Sequence, residues 1–340
     1  MDDFNRRMEQ DQVEWRKHHI ANKRPGSQNR KIRQWILPKE LWEEALWEGI
    51  RSSSDHPLPR YLHDNNIQKH GGVHNLKSSW TLCANLYFPF QLDLPMLATF
   101  LREHIATEIR FVEAVELEHE EPQPLAPQTL LGESESGGRG TNQTSPDVAF
   151  RVRTATGLGL VLTENKLVEH SFYPCSGRKA EVKNPDAHRC MDLPALLDDL
   201  SGRCWQLGWA EASRKNRTYW KHVRLSDQGR KCLKRCPAAT AGYQLFLQQA
   251  LAEGIAASGK YEFVVSSVAY DSRNAALIRC LRSTGIDDFT TGWGKLFDGN
   301  ARFATFTHQE WVGWVRDHDQ DGRWKDWLRY VGERYGYGQD

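Results

Sequence analysis

Apolar residues along this chain fall into a few dense stretches separated by long polar ones. Leu94 to about Ile105 repeats apolar residues at three- and four-residue spacing, which predicts a helix. Ile109 to Glu118, IRFVEAVELE, predicts a strand. From Pro146 to Lys166, two β-rich stretches flank Thr154-Ala155-Thr156-Gly157, a turn-forming tetrad, and predict a hairpin. Thr240 to Ala257 predicts a helix with Tyr243, Leu247, Ala250 and Leu251 on one face. Lys260 to Tyr270 holds the buried-strand run FVVSSVAY. A short helix is predicted from Trp35 to about Gly49, with Trp42, Leu46 and Trp47 at helical spacing. The tail from His308 to Tyr337 also reads as helical, and its Trp311, Trp314, Trp324 and Trp327 read as core or interface. Met1 to about Gln34 is polar and basic and reads as a mobile or loosely docked arm. The Pro-, Gly-, Ser- and Glu-rich stretch from Glu120 to Ser145 reads as a long surface loop of the kind that carries function.

The hairpin brings chemistry with it. Closing it on its turn sets Arg153 opposite Leu158. Asp147 then falls opposite Glu164, and Lys166 shares the face of Glu164. The strand LGLVL is apolar on both faces, as in a central strand. Facing β-carbons lie about 5 Å apart, where like charges repel. Two carboxylates at the end of a buried hairpin therefore call for a counter-charge. A divalent cation such as Mg²⁺ or Mn²⁺ supplies it, taking carboxylate oxygens while keeping waters and a substrate phosphate. Such an ion acidifies bound water, and Lys166 adds a fixed positive charge beside it. These are the parts of phosphodiester hydrolysis. The plainer alternative is a surface ion pair between Lys166 and an acid.

Pro146-Asp147 with Glu164-Asn165-Lys166 resembles the PD-(D/E)XK nuclease superfamily. The resemblance implies an α/β (α+β), restriction-endonuclease-like core: a mixed sheet flanked by helices in the order αβββαβ. The predicted elements from Leu94 to Tyr270 follow that order, and the likeness covers about half the chain. Leu117-Glu118-His119 is similar to a Phe-Glu-His stretch that ends a strand before the PD motif in some members. The resemblance thus carries Glu118 as a third acid, with Glu116 on the same face as the alternative. It also implies a Mg²⁺-dependent (endo)deoxyribonuclease leaving a 5′-phosphate, in restriction or another defence role, with Gln244 as a candidate accessory residue. Asn165 departs from the pattern, since the residue between Glu and Lys is usually apolar there. It should be found paired on the opposite face of the sheet.

Composition adjusts this picture in few places. The 340 residues carry a net charge of +1, so any nucleic-acid surface must be local. The polar start predicts no secretory signal, and no apolar run is long enough to span a bilayer, so a cytoplasmic protein is expected. The seven cysteines then read as thiols or a metal site. Cys175, Cys190, Cys232 and Cys236 bracket a basic segment and are the candidate ligands of a zinc ion or an iron–sulfur cluster. Cys204 reads as packing, and Cys83 and Cys280 as core. Arg214, Lys215, Arg217, Tyr219, Trp220, Lys221 and Arg224 interleave cations with aromatics, which suits phosphates and stacked bases; a solvated helix face is the competing reading. His70 and His74 read as structural, because Gly71 and Gly72 argue against a helix that would pair them. The sequence divides into an N-terminal extension (1–92), a nuclease core (93–167 and 238–290), a basic cysteine-containing insertion (168–237) and a Trp-rich helical segment (291–340). The rival functional reading is a nucleic-acid-binding subunit of a larger assembly that keeps the fold without catalysis.

Overall fold

The computed structural model describes residues 3–52, 56–134, 139–140, 143–180, 184, 186–207 and 216–338. Arg214 and Lys215 lie outside them. The principal helices are α1 (Asp3–His19), α2 (Ser79–Tyr87), α3 (Leu94–His104), α4 (Tyr243–Ala257), α5 (His308–His318) and α6 (Lys325–Tyr335). A small ribbon pairs β1 (Gly26–Gln28) with β2 (Lys31–Arg33). The main sheet holds β3 (Phe111–Leu117), β4 (Val148–Arg153), β5 (Leu158–Lys166), β6 (Phe263–Tyr270) and β7 (Arg302–Thr307), in that spatial order. The first two pairings are antiparallel and the last two parallel. It is a mixed sheet with helices on both faces.

Side-chain alternation builds one core on each face. Val148, Phe150, Val152, Val161 and Val265 point to the side covered by α2, α3, α5 and α6. Ala149, Leu160, Leu162, Val264 and Val268 point to the side covered by α4 and the 168–237 segment. Every residue of β5 after Leu158 is buried, as its apolar sequence requires of a central strand. The hairpin register is the expected one: Arg153 faces Leu158, and the pairing runs to Val148 opposite Thr163.

Four elements differ from expectation. The N-terminal segment is no loose arm: α1 buries Phe4, Met8, Gln12 and Trp15. Its stripe is completed by a glutamine, whose amide donates to the Arg334 carbonyl at 2.7 Å and accepts from Arg334 Nε at 3.2 Å. The predicted helix over 35–49 is instead a 3₁₀ stretch, Lys39–Ala45, and a short turn of helix, Glu48–Arg51; extended backbone at Leu46 separates them. The 120–145 loop contains a short helix, Pro127–Leu131. The 291–340 segment is not all helical, because β7 adds a fifth strand to the sheet. Trp311 and Trp327 of that segment are fully buried, each donating its indole N–H to a carbonyl of α2, so their packing role stands.

α4 is pinned as well as packed. Gln248, 2% exposed, donates its amide to Ser267 O at 2.9 Å, Ser266 Oγ at 3.1 Å and Leu162 O at 3.3 Å. One side chain thus joins α4 to both β5 and β6.

Candidate active site

The ends of β3, β4 and β5 converge on a cavity of about 210 Å³. Glu118, Asp147, Glu164, Lys166 and Gln244 all line it. The continuation of the β4–β5 ladder explains the first contact: the Asn165 backbone N–H donates to Asp147 Oδ2 at 2.7 Å, so the aspartate sits beside the end of the central strand. One residue to either side of Asn165, and so on the opposite face, Glu164 and Lys166 face the cavity together, 6% and 3% exposed. The Lys166 ammonium donates to Glu164 Oε1 at 2.5 Å and to Gln244 Oε1 at 3.0 Å. Gln244, in the first turn of α4, is therefore part of the site.

Glu118 follows β3 with a left-handed backbone, φ +49°, which is uncommon for a side chain of this size. Arg139 holds that turn by donating to the carbonyls of Leu117 and Glu118, each at 3.1 Å. Trp80 Nε1 donates to Glu118 Oε1 at 2.9 Å. Gly140 leaves the room: a Cβ there would stand 2.7 Å from Glu118 Oε2. The alternative acid, Glu116, is engaged elsewhere, with His119 at 2.6 Å and Arg151 at 3.2 Å.

The electrostatics are those of crowded acids. Burial, with Glu164 adding to it, pushes Glu118 up to about 7, against hydrogen bonds from Ser145 and Trp80. Burial also pushes Asp147 well up, and the negative charge of Glu164 adds to the effect. Burial alone would lower Lys166; Glu164, Glu169 and Asp147 more than reverse this and hold it protonated. A divalent cation relieves the repulsion among these carboxyls, so the donor set suits a hard ion. Among the described residues, no three His, Cys, Asp or Glu side chains already stand in an arrangement that holds an ion.

Asn165 is fully buried, and its amide donates to the Ser79 carbonyl at 2.7 Å, tying β5 to α2 on the far face. Its Oδ1 is buried without a hydrogen-bond partner. Trp80, Glu169 and Tyr173, which no sequence pattern singles out, also line the cavity. His70, read as structural, lines it too; His74 is buried and contacts the Ser27 carbonyl. Only the tertiary fold brings these side chains to the acids.

In the described part of the basic stretch the two aromatic residues turn inward. Tyr219 is buried and its hydroxyl donates to Glu133 Oε1 at 2.8 Å. Trp220 packs on Phe246 of α4 with ring centroids 5.0 Å apart. Tyr219 is not placed to stack a base, and Trp220 is half-buried. Arg217 is turned to the Gly132 carbonyl, and Arg224 pairs with Asp298 at 3.0 Å. Lys221 remains exposed. The cysteines also regroup: Cys204 joins Cys175, Cys190 and Cys236 around one cavity, while Cys232 stands outside it.

A mixed five-stranded sheet between two helical layers, with three acids and a lysine where β3, β4 and β5 meet at one cavity, defines a restriction-endonuclease-like protein. The chain belongs to the family described as restriction endonuclease associating with ARP, which it matches over residues 8–336. No curated protein and no solved structure matches it. Among the described residues, no helix is long and apolar enough to cross a membrane.

Proposed function

We propose that this protein is a metal-dependent DNA endonuclease of the PD-(D/E)XK type, serving restriction or a related defence in the cytoplasm. The observation that carries the reading is the convergence of Glu118, Asp147 and Glu164 with Lys166 in one cavity. Asp147 and Glu164 would hold Mg²⁺ or Mn²⁺, with Glu118 completing the acidic set. When bound, the ion supplies an acidified water and offsets charge developing on the phosphate.

The chain's own residues do the rest. Lys166, held protonated, donates toward the attacking water or a phosphoryl oxygen. Gln244 accepts from its ammonium and sets its direction. Trp80 fixes one oxygen of Glu118, whose side chain lines the cavity. The Lys166–Glu164 pair would have to loosen for Glu164 to hold the ion. The family description names an association with ARP, and we extend that partnership to this chain.

A second reading draws on that same ion pair and on the lack of a ready-made ion-holding group among the described residues. It makes the chain a DNA-binding subunit without catalysis. Nicking of supercoiled plasmid, with Mg²⁺ against chelator, separates the two. Metal-dependent nicking is expected, falling by at least about 10²-fold in Lys166→Ala and Asp147→Asn. Wild-type protein that binds duplex DNA without nicking it selects the second reading, and equal activity in both variants removes the site assignment.

A further inference from the structure

Within residues 168–237 the described chain forms only short helices and turns, yet it packs a continuous core against α4. At its centre, Cys175, Cys190, Cys204 and Cys236 line one cavity. Their contributing segments are far apart in sequence but laced together by the backbone. Cys175 N donates to Ala238 O, and Cys236 N to Cys190 O, both at 3.0 Å. None of the seven cysteines is in a disulfide.

Three features of this cavity go beyond thiol packing. First, amide groups are turned toward sulfur. The Gly177 backbone N–H donates to Cys175 Sγ at 3.4 Å, and Gln206 Nε2 to the same atom at 3.2 Å. Backbone hydrogen bonds reach Cys204 from Gln206 and Leu207, and Cys236 from Ala238. In three of the four cases the donor lies two residues after the cysteine, a turn that cradles a thiolate and tunes a metal–sulfur centre. Second, cations outnumber anions at the group: Arg203 and Arg189, the latter paired with Asp186 at 3.5 Å, line the cavity, and the charge of Arg178 acts on Cys190. Arginines so placed offset the negative charge of a tetrathiolate centre. Third, the thiols stand around a void. It measures about 20 Å³, enough for the centre of a water molecule to move in. Four sulfurs on one zinc ion lie about 2.3 Å from it and close that space completely. No three of these ligands stand in a single-ion arrangement among the described residues. The thiols thus stand farther apart than four ligands of a single ion, the spacing that a larger inorganic core requires.

We infer that Cys175, Cys190, Cys204 and Cys236 hold an iron–sulfur cluster of the [4Fe–4S] kind, which staples the 168–237 segment onto α4. Cys232 takes no part: it lies half-exposed with its thiol toward the Gly229 carbonyl at 3.9 Å. The inference is independent of the nuclease reading, because its readouts are spectroscopic and analytical.

The full-length protein, purified without oxygen, should carry about four iron and four acid-labile sulfide per chain and a broad visible absorbance bleached by dithionite. Cys232→Ala should keep the full absorbance, and Cys204→Ala should lose most of it. Wild-type protein holding zinc, or no metal after anaerobic purification and reconstitution with iron and sulfide, overturns the inference whatever the variants do. Loss of the absorbance in Cys232→Ala with retention in Cys204→Ala overturns the ligand set.

Discussion

His308 gives the fold a calculable response to acid. It is fully buried where α5 meets the end of β5. Its Nε2 faces the Lys166 carbonyl at 3.1 Å, so that nitrogen must donate; Nδ1, 3.2 Å from the Tyr87 hydroxyl, then accepts. Both partners suit the neutral ring. Burial lowers its pKa to about 4; Asp271 and Glu169 oppose the shift and Arg273 adds to it. Tyr337 packs against its ring. The unfolded chain binds this proton near pH 6.5, and the folded chain resists it until about 4. Stability from this group is therefore complete above pH 6.5 and drains away as the pH falls through 4. A gap of about 2.5 units at about 1.4 kcal/mol each amounts to roughly 3 kcal/mol.

The perturbation is His308→Gln, which keeps an N–H for the Lys166 carbonyl and cannot titrate. Urea unfolding followed by circular dichroism at several pH values between 7.5 and 4 measures it. The wild type should lose roughly 3 kcal/mol more than the variant across that range. Asp271, also buried and held below its ordinary value chiefly by Arg273 against burial, adds acid lability to both proteins; most of it cancels in the difference. Parallel pH profiles for the two proteins would refute the reasoning.

Two further outcomes test the walls of the candidate site. Trp80→Phe removes the donor to Glu118 while keeping an aromatic ring. It should cost about 1–2 kcal/mol of stability and reduce nicking about tenfold, read by urea unfolding and plasmid assay. Gly140→Ala places a methyl against Glu118 Oε2 on a backbone at φ +81°; it should lower Tm by several degrees and weaken nicking, whereas the control Gly313→Ala, half-buried inside α5 with only the Arg316 side chain near its added methyl, should not lower Tm and should leave nicking unchanged.

The order from α3 through β3, β4, β5 and α4 to β6 was legible because each element carries a strong apolar period of its own. The hairpin register followed from four turn residues, and Asp147, Glu164 and Lys166 line one cavity at its open end. What stayed hidden depends on partners distant in sequence. α1 was obscured because its buried stripe includes Gln12, a polar residue satisfied only by Arg334 more than three hundred positions later. β7 lies at the sheet edge, mostly half-buried, so its alternation is weak. Cys232 and Cys236 form the close pair that spacing favours, yet Cys204 takes the place beside Cys236 through packing. Tyr219 and Trp220 read as a surface because cations flank them; their rings turn inward against α4.

Gln248 has a consequence for how change can spread through this protein. A helix resting on a purely apolar sheet face can slide or roll with little penalty as side chains exchange. Three hydrogen bonds from one amide remove that freedom and make the helix behave as a clamped lever. Gln244 lies one turn ahead on the same face, so its reach to Lys166 is measured from the clamp rather than from the apolar contacts around it. Substitutions on the outer surface of α4 should therefore be silent at the cavity. A disturbance arriving through α4 has to break that clamp before it moves Gln244, whereas Glu169 and Tyr173 of the cysteine-bearing segment face Lys166 directly across the cavity.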